Sequence, residues 1–404
     1  MSTFEERKSV ALVACFKDKN RHSRLVGHKA RTFDFQFHPV EDVAVSASED
    51  GMARVWDLSN GRCTKALEGH STKYEVLRAC WAPTATANAS VAMATGSADG
   101  NVRLWGIPQD ADIECVDGVA RYQALKIVGQ LRHRNQSKGL DGQVYSCQFV
   151  PERGDAPARG ISSNSGPTRL LTASDSSVHL WDVNTCKRIV SRALSKVGDH
   201  SIGGERNPDD ASFIFDAKPR PGAGSTALAV ALSDGTVRIG DILGTEGQTA
   251  VLKGKSNTHL TSLAWSENGA TLASCGGDGT VTVWDARTWT VRAVLSGHSR
   301  PVYGAVFYPA DSTAVDSGTG APQLLLSWSS DETVCAWDAG RASGDDAAPL
   351  ATLSVENGFP IYSCSVSQDG RKLAVAGGGG GGKVGFMGVP IKLVELSDEA
   401  TEGD

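Results

Sequence analysis

The sequence predicts an all-β protein built from a repeated unit, and three observations carry that prediction. Self-similarity recurs at a roughly fixed period along the 404 residues. Each unit ends in a short apolar strand closed by Trp-Asp or an eroded version of it. Each such strand is preceded by another apolar strand and a turn containing Asp or Gly, the combination that favours antiparallel hairpins because both residue types tolerate positive φ.

Taken in order, the closing strands are Ala53-Arg54-Val55-Trp56-Asp57, Val102-Arg103-Leu104-Trp105-Gly106, Val178-His179-Leu180-Trp181-Asp182, Val237-Arg238-Ile239-Gly240-Asp241, Val281-Thr282-Val283-Trp284-Asp285, Val334-Cys335-Ala336-Trp337-Asp338 and Ile391-Lys392-Leu393-Val394-Glu395. Hairpin partners are plain at Val43 to Gly51, Leu228 to Gly235 and Leu272 to Gly279. A third strand lies upstream, often ending in Pro: Phe33 to Pro39, Leu77 to Pro83, Tyr145 to Pro151 and Tyr303 to Pro309. Gly-His stands before three of them, at Gly27-His28, Gly69-His70 and Gly297-His298.

This order of Gly-His, two strands, Asp turn and Trp-Asp strand resembles the WD-repeat family from about Leu25 to Leu396. The resemblance implies a closed β-propeller of seven four-stranded blades around a central channel. It also implies that an N-terminal strand, around His22 to Val26, completes the last blade, since a loose seam would expose strand edges. Outer strands for the second and third blades are expected within Tyr122 to Leu131 and Arg188 to Val197. The domain reading is an N-terminal segment 1–21, one propeller 22–396 and an acidic tail 397–404.

In the family, a His, a Ser or Thr, an Asp and a Trp form a buried hydrogen-bonded chain inside one blade. Matched here, these are His28, Ser46, Asp50 and Trp56; His70, Thr95, Asp99 and Trp105; and His298, Ser327, Asp331 and Trp337. They are the residue types of a hydrolase triad, but recurrence in separate blades with an indole at the end marks them as scaffold. The third blade keeps Thr172, Asp175 and Trp181 with a shortened turn. The fourth has Val230 and Gly240 in the hydroxyl and Trp places, and the fifth has Lys255 in the His place.

Composition fits a soluble globular protein. Hydrophobic residues make up 40% and charged residues 21%, and the net charge of −6 gives no general support for nucleic-acid binding. Local basic stretches at Lys17 to Arg31 and Arg132 to Lys138 keep an RNA-associated complex as an alternative. The nine cysteines are dispersed, without C-x-x-C pairs or zinc spacing, as expected of buried thiols in a reducing compartment. The Gly run at 377–382 has no Lys-Ser/Thr ending and is no Walker-type phosphate loop. No signal peptide or membrane span is recognisable, so cytoplasm or nucleus is expected, with no catalytic residue, metal or cofactor.

Two partner-binding surfaces are expected. Aligned first strands place Phe33, Leu77, Tyr145, Phe213, Thr261, Tyr303 and Tyr362 at equivalent positions, and the family resemblance turns that position toward the channel mouth. The aromatic members, Phe33, Tyr145, Phe213, Tyr303 and Tyr362, offer large contact area at low entropy cost; packing between blades is the competing role. The stretch from Leu272 to Arg287 is similar to the box by which some family members dock onto the adaptor of cullin-RING ubiquitin ligases, with Trp284, Asp285 and Arg287 as its ending. Inserts at Glu152 to Thr168, Pro219 to Thr226 and Ala310 to Pro322 all follow first strands, which puts them on one face.

Overall fold

The computed structural model describes residues 22–83, 91–107, 118–133, 142–150, 169–193, 212–222, 226–243, 248–254, 258–308, 323–340, 342–354, 359–378 and 391–395. The segments 1–21 and 397–404, the inserts at Glu152 to Thr168 and Ala310 to Pro322, and Lys255 lie outside them.

Antiparallel strands pair in chain order into successive sheets. The first holds Thr32–Phe37, Val43–Ser48, Ala53–Asp57 and Arg62–Leu67; the second Val76–Trp81, Met93–Ser97, Asn101–Gly106 and Lys126–Arg132. The third holds Val144–Val150, Arg169–Ser174, Ser177–Asp182 and Lys187–Ala193; the fourth Ile214–Pro219, Ala227–Leu232, Thr236–Asp241 and Gln248–Lys253. The fifth holds Leu260–Trp265, Thr271–Gly276, Thr280–Asp285 and Thr290–Ser296, with Gly344–Ala347 added along its outer edge. The sixth holds Val302–Phe307, Leu324–Ser329, Thr333–Asp338 and Ala351–Ser354.

The result is an all-β propeller in which these six blades are made of continuous chain. The expected pairing of the N-terminal strand with the end of the chain is present: a composite sheet is built from Ile361–Val366, Lys372–Gly377, Ile391–Glu395 and the N-terminal strand His22–Leu25, with Leu25 opposite Ile391 and His22 opposite Val394. Tyr122, expected in the outer strand of the second sheet, lies instead in the short 3-10 helix Gly118–Ala124, the only helix among the described residues. Its buried ring plugs the base of the first two sheets, and its hydroxyl donates to Glu41 at 2.9 Å.

Local chemistry explains the strands. Their second members are rich in Val, Ala, Leu and Ser, buried on both faces because each sheet is sandwiched between neighbours. Turns between them need a left-handed residue. Gly279 (φ 87°) supplies it in the fifth sheet, and a Cβ there would meet the carbonyl oxygen of His298 at 2.7 Å.

Cores form between adjacent sheets. Val43, Val45 and Val55 of the first pack with Val76, Met93 and Trp105 of the second, and the pattern repeats around the molecule. The first strands are also joined by polar clips. Asp34 accepts from the backbone N–H of Ala79 in the second sheet at 3.1 Å and from the Ser363 hydroxyl of the composite sheet at 3.4 Å. Asp216 accepts from Ser146 in the third sheet at 3.0 Å and from the Ser262 hydroxyl and Leu263 N–H in the fifth, both at 3.0 Å. These buried carboxylates are adjacent-sheet connectors that the repeat pattern does not announce.

Candidate functional site: the aromatic mouth and its scaffold

The scaffold begins with the hydrogen-bonded chains. In the first sheet, His28 Nδ1–H donates to Asp50 at 2.9 Å, the Ser46 hydroxyl donates to His28 Nε2 at 2.6 Å, and Trp56 Nε1–H donates to Ser46 at 2.7 Å. A carboxylate can only accept, which fixes this order. Burial lowers the His28 pKa, partly offset by Asp50, and Asp50 itself is drawn down to about 2: burial opposes, and the bonds from His28, Lys29 and Met52 outweigh it.

The sixth sheet repeats the arrangement with His298, Asp331 (3.0 Å), Ser327 (2.8 Å) and Trp337 (2.8 Å). Here burial would lower His298, but its bond to Asp331 prevails and the pKa rises. The second sheet brings together His70, Thr95 (2.7 Å) and Trp105 (2.9 Å), but with the imidazole reversed. Arg103 Nη1 lies 2.7 Å from His70 Nδ1, and a guanidinium can only donate, so Nδ1 accepts and Nε2–H donates to Thr95. Asp99, 3.4 Å from Nδ1, pairs with Arg103 at 3.3 Å instead.

The third sheet holds a chain whose histidine the sequence reading missed. His133 bonds to Thr172 at 3.0 Å and to Ser174 at 2.9 Å, and Trp181 donates to Thr172 at 2.8 Å. The available signal was Leu131-Arg132-His133, which shortens the Leu-x-Gly-His of Leu67 to His70 by one residue. In the fifth sheet only Trp284 to Ser274 remains, at 2.9 Å; the fourth, with Val230 and Gly240, has no such chain.

The hydroxyls of Ser46, Thr95 and Ser327 are fully buried and each is shared by an imidazole and an indole. None faces solvent as a nucleophile would have to. Removing one orphans two buried groups, so Ser327→Ala is expected to cost about 2–3 kcal/mol, read as a lower urea midpoint at unchanged slope.

The mouth is set by a shared irregularity. In all seven sheets the ladder between first and second strands slips by one residue near its start, as between Thr32 and Asp34 or Ile361 and Ser363. The residue left out of the ladder is Phe33, Leu77, Tyr145, Phe215, Thr261, Tyr303 and Tyr362, and every one is half-buried. A bulge re-aims a side chain, here at the strand end that also carries His28 and Asp50.

The fourth-sheet expectation needs correction. Phe215, not Phe213, occupies the equivalent position; Phe213 sits two residues earlier on the rim, 53% exposed. The rings gather in two groups. Phe33 and Tyr303 both contact Tyr362, with centroids 5.5 and 5.1 Å apart, and Phe215 lies between Tyr145 (6.2 Å) and His259 (5.7 Å). The rings therefore pack across sheet boundaries and remain half-open to solvent. Burial, Asp175 and Glu75 raise the Tyr145 pKa, while Tyr303 is raised by burial and by Tyr362.

On the other face, Trp284 is buried, and Asp285 is spent on its turn, accepting from the N–H groups of Arg287 (2.8 Å) and Thr288 (3.0 Å). Of the three box residues only Arg287 presents an exposed side chain. Nearby, Trp289 takes φ 58°, the left-handed turn position that Gly61 fills in the first sheet. Its indole meets Trp265 at 6.2 Å, with the Arg220 guanidinium over both.

Among the described residues, no group of three His, Cys, Asp or Glu side chains is placed to hold a metal, and no helix is long and apolar enough to cross a membrane. Cys80 and Cys147 lie with sulfurs 3.7 Å apart as buried thiols. Lys17 to Arg21, much of the basic N-terminal stretch, and Arg134 to Lys138 are outside the described residues.

Comparison with known proteins agrees with this architecture. The WD domain, G-beta repeat family matches residues 19–57, 61–106 and 247–285. The guanine nucleotide-binding protein subunit beta of Oryza sativa subsp. japonica is 25% identical over 280 residues, covering 69% of this chain and 60% of its own length. Nuclear distribution protein PAC1 of Gibberella zeae is 24% identical over 334 residues, covering 78% and 60%. Mitochondrial division protein 1 of Aspergillus terreus is 28% identical over 245 residues, covering 56% and 33%. The chain thus spans 60% of the length of the first two. With the family's repeat matched in three places and one hydrogen-bonded chain rebuilt from sheet to sheet, this chain carries WD repeats and is similar to WD-repeat proteins.

Proposed function

We propose that the chain is a non-catalytic scaffold that holds a segment of a partner protein at the aromatic mouth. Propellers of this family are typically protein-interaction scaffolds, and the similarity to a G-protein beta subunit and to PAC1 fits that role. The observation that carries the site is the shared bulge, which turns seven half-buried residues, five of them Phe or Tyr, to one end of the first strands. Rings held by neighbouring rings lose little entropy when a partner covers them.

The composite sheet acts in this reading as a seventh blade that closes the ring. Support comes from the Ser363 hydroxyl, which bridges to Asp34 and accepts from Phe35 N–H at 3.1 Å, and from the Phe33–Tyr362 contact across the same seam. A closed ring keeps the mouth a fixed rim.

The test is affinity capture from cell lysate with quantitative mass spectrometry, comparing the intact chain with a Tyr145→Ala/Tyr303→Ala/Tyr362→Ala variant of unchanged melting. Loss of a specific protein set supports the mouth; an unchanged set refutes it. A second reading, a substrate receptor of a cullin-RING ligase, is favoured only by the exposure of Arg287. Selective loss of adaptor with Arg287→Ala would establish it.

A further inference from the structure

Seven cysteines fall among the described residues, and two of them meet. Cys80, on the first strand of the second sheet, and Cys147, on the first strand of the third, face each other across the sheet boundary with their sulfurs 3.7 Å apart. Both are buried, 4% and 6% exposed, in the apolar core that these two sheets share.

The repeat shows that this meeting is particular to one boundary. Cys147 stands opposite the hydroxyl-bearing Thr172 of its own sheet, and Cys80 stands one rung beyond the equivalent place in the second sheet, where Ala79 faces Thr95. Along the ring the same two places are filled by Gln36 and Ala79, by Gln148 and Ala217, and by Ala264 and Ala305. Only between the second and third sheets do two sulfurs fall at them. Apolar packing alone is met at the other boundaries by alanine, so a facing pair of thiols adds a chemistry that packing does not require.

We propose that Cys80 and Cys147 form a peroxide-sensitive modification site, at which a disulfide bond ties the second blade to the third. The approach required, from 3.7 Å to about 2.05 Å, is a matter of rotating two side chains and not of moving strands. The oxidant is hydrogen peroxide, small and uncharged as such burial demands. The contact with Cys80 and burial push the Cys147 thiol up, so Cys147 keeps its proton and Cys80 meets the oxidant first. The Cys80 sulfur, its proton lost to solvent, attacks one peroxide oxygen; the O–O bond breaks, and the departing hydroxide takes up a proton to leave as water. The Cys147 sulfur then attacks the sulfenic sulfur of Cys80, the S–O bond breaks, and the hydroxyl leaves as a second water with the Cys147 proton. Two thiols are oxidised by two electrons and one peroxide is reduced to two waters.

The linked residues stand 67 apart in sequence, so the bond closes a long loop and removes freedom from the unfolded chain. It also fixes the strand that carries Tyr145, two residues before Cys147. The test uses the full chain, reduced with dithiothreitol, freed of it and exposed to hydrogen peroxide at neutral pH, then alkylated with iodoacetamide in urea and digested without reductant. Mass spectrometry should find the peptides bearing Cys80 and Cys147 joined, two hydrogens lighter than their sum. That pair should exceed any other cysteine pair by at least about tenfold, because the fold holds each sulfur at high effective concentration for the other. Unfolding in urea before the oxidant should erase the preference. The oxidised folded chain should melt several degrees higher, and dithiothreitol should reverse the rise. Cys80→Ala and Cys147→Ala should each abolish it, and the linked peptide is read on the intact chain whether or not those variants fold.

The proposal is overturned if peroxide leaves both cysteines open to alkylation, carries either to sulfinic acid without a link, or joins them only in urea. A linked chain that melts below the reduced one also overturns it, since the fold would then resist the bond. Failure of this test leaves the mouth reading standing, because the two rest on different residues and different measurements.

Discussion

Asp216→Ala is expected to lower stability by about 4 kcal/mol. Its carboxylate is buried and accepts from Ser146, Ser262, Leu263 N–H and Ala217 N–H, so truncation strands several donors at once between three sheets. The fourth sheet feels this most, because it lacks the His–Ser–Trp chain that secures the first and sixth. Hydrogen exchange should show the amides of Ala227–Leu232 opening first, while those of Val43–Ser48 keep their protection. Asp216→Asn, which retains one acceptor, should cost about half as much. A loss below about 1 kcal/mol would show that the carboxylate does not join the sheets.

Acidification is expected to produce the second large effect. His133 and His179 pack ring to ring at 4.8 Å in the third sheet, each lowered first by burial. His133 is further lowered by His179 and Arg188, and His179, by Arg188, reaches about 4. In the unfolded chain each titrates near 6.5. Between those values the unfolded state binds more protons, so stability is full above about pH 6.5 and falls as pH drops through the folded pKa. For His179 alone the loss is about 3 kcal/mol by pH 4. His298 has the opposite sign: its raised pKa contributes stability below 6.5 that fades at higher pH. Urea midpoints at pH 7 and 4.5 should differ clearly, and His179→Leu should reduce the difference; an unchanged slope in that variant would refute the assignment.

Much of this was legible because repeats impose local chemistry. The Asp turns and the Val-x-Val-Trp-Asp strands could be read from residue types, while the N-terminal strand and the tetrad histidines followed from the family resemblance wherever its pattern survived. Where spacing changed, the reading failed. His133 was missed because its loop is one residue short and lacks the glycine. Phe213 was chosen over Phe215 because a bulge breaks the alternation on which counting relies. The pairs Phe33-Asp34 and Phe215-Asp216 would have set that register, since both place an aromatic at the mouth and a carboxylate between sheets. Tyr122 was read as strand because tertiary packing against His38 and Glu41, not periodicity, holds it.

The pairing of His22–Leu25 with Ile391–Glu395 also bears on how the molecule is made. During synthesis the first of these strands leaves the ribosome long before its partner exists, so the earlier sheets must stack while the seam between Phe35 and Ser363 is still open. That pairing comes late, joining distant parts of the chain at an entropic cost that grows only slowly with their separation. Until then the strand edges that await their partners are exposed and aggregation-prone.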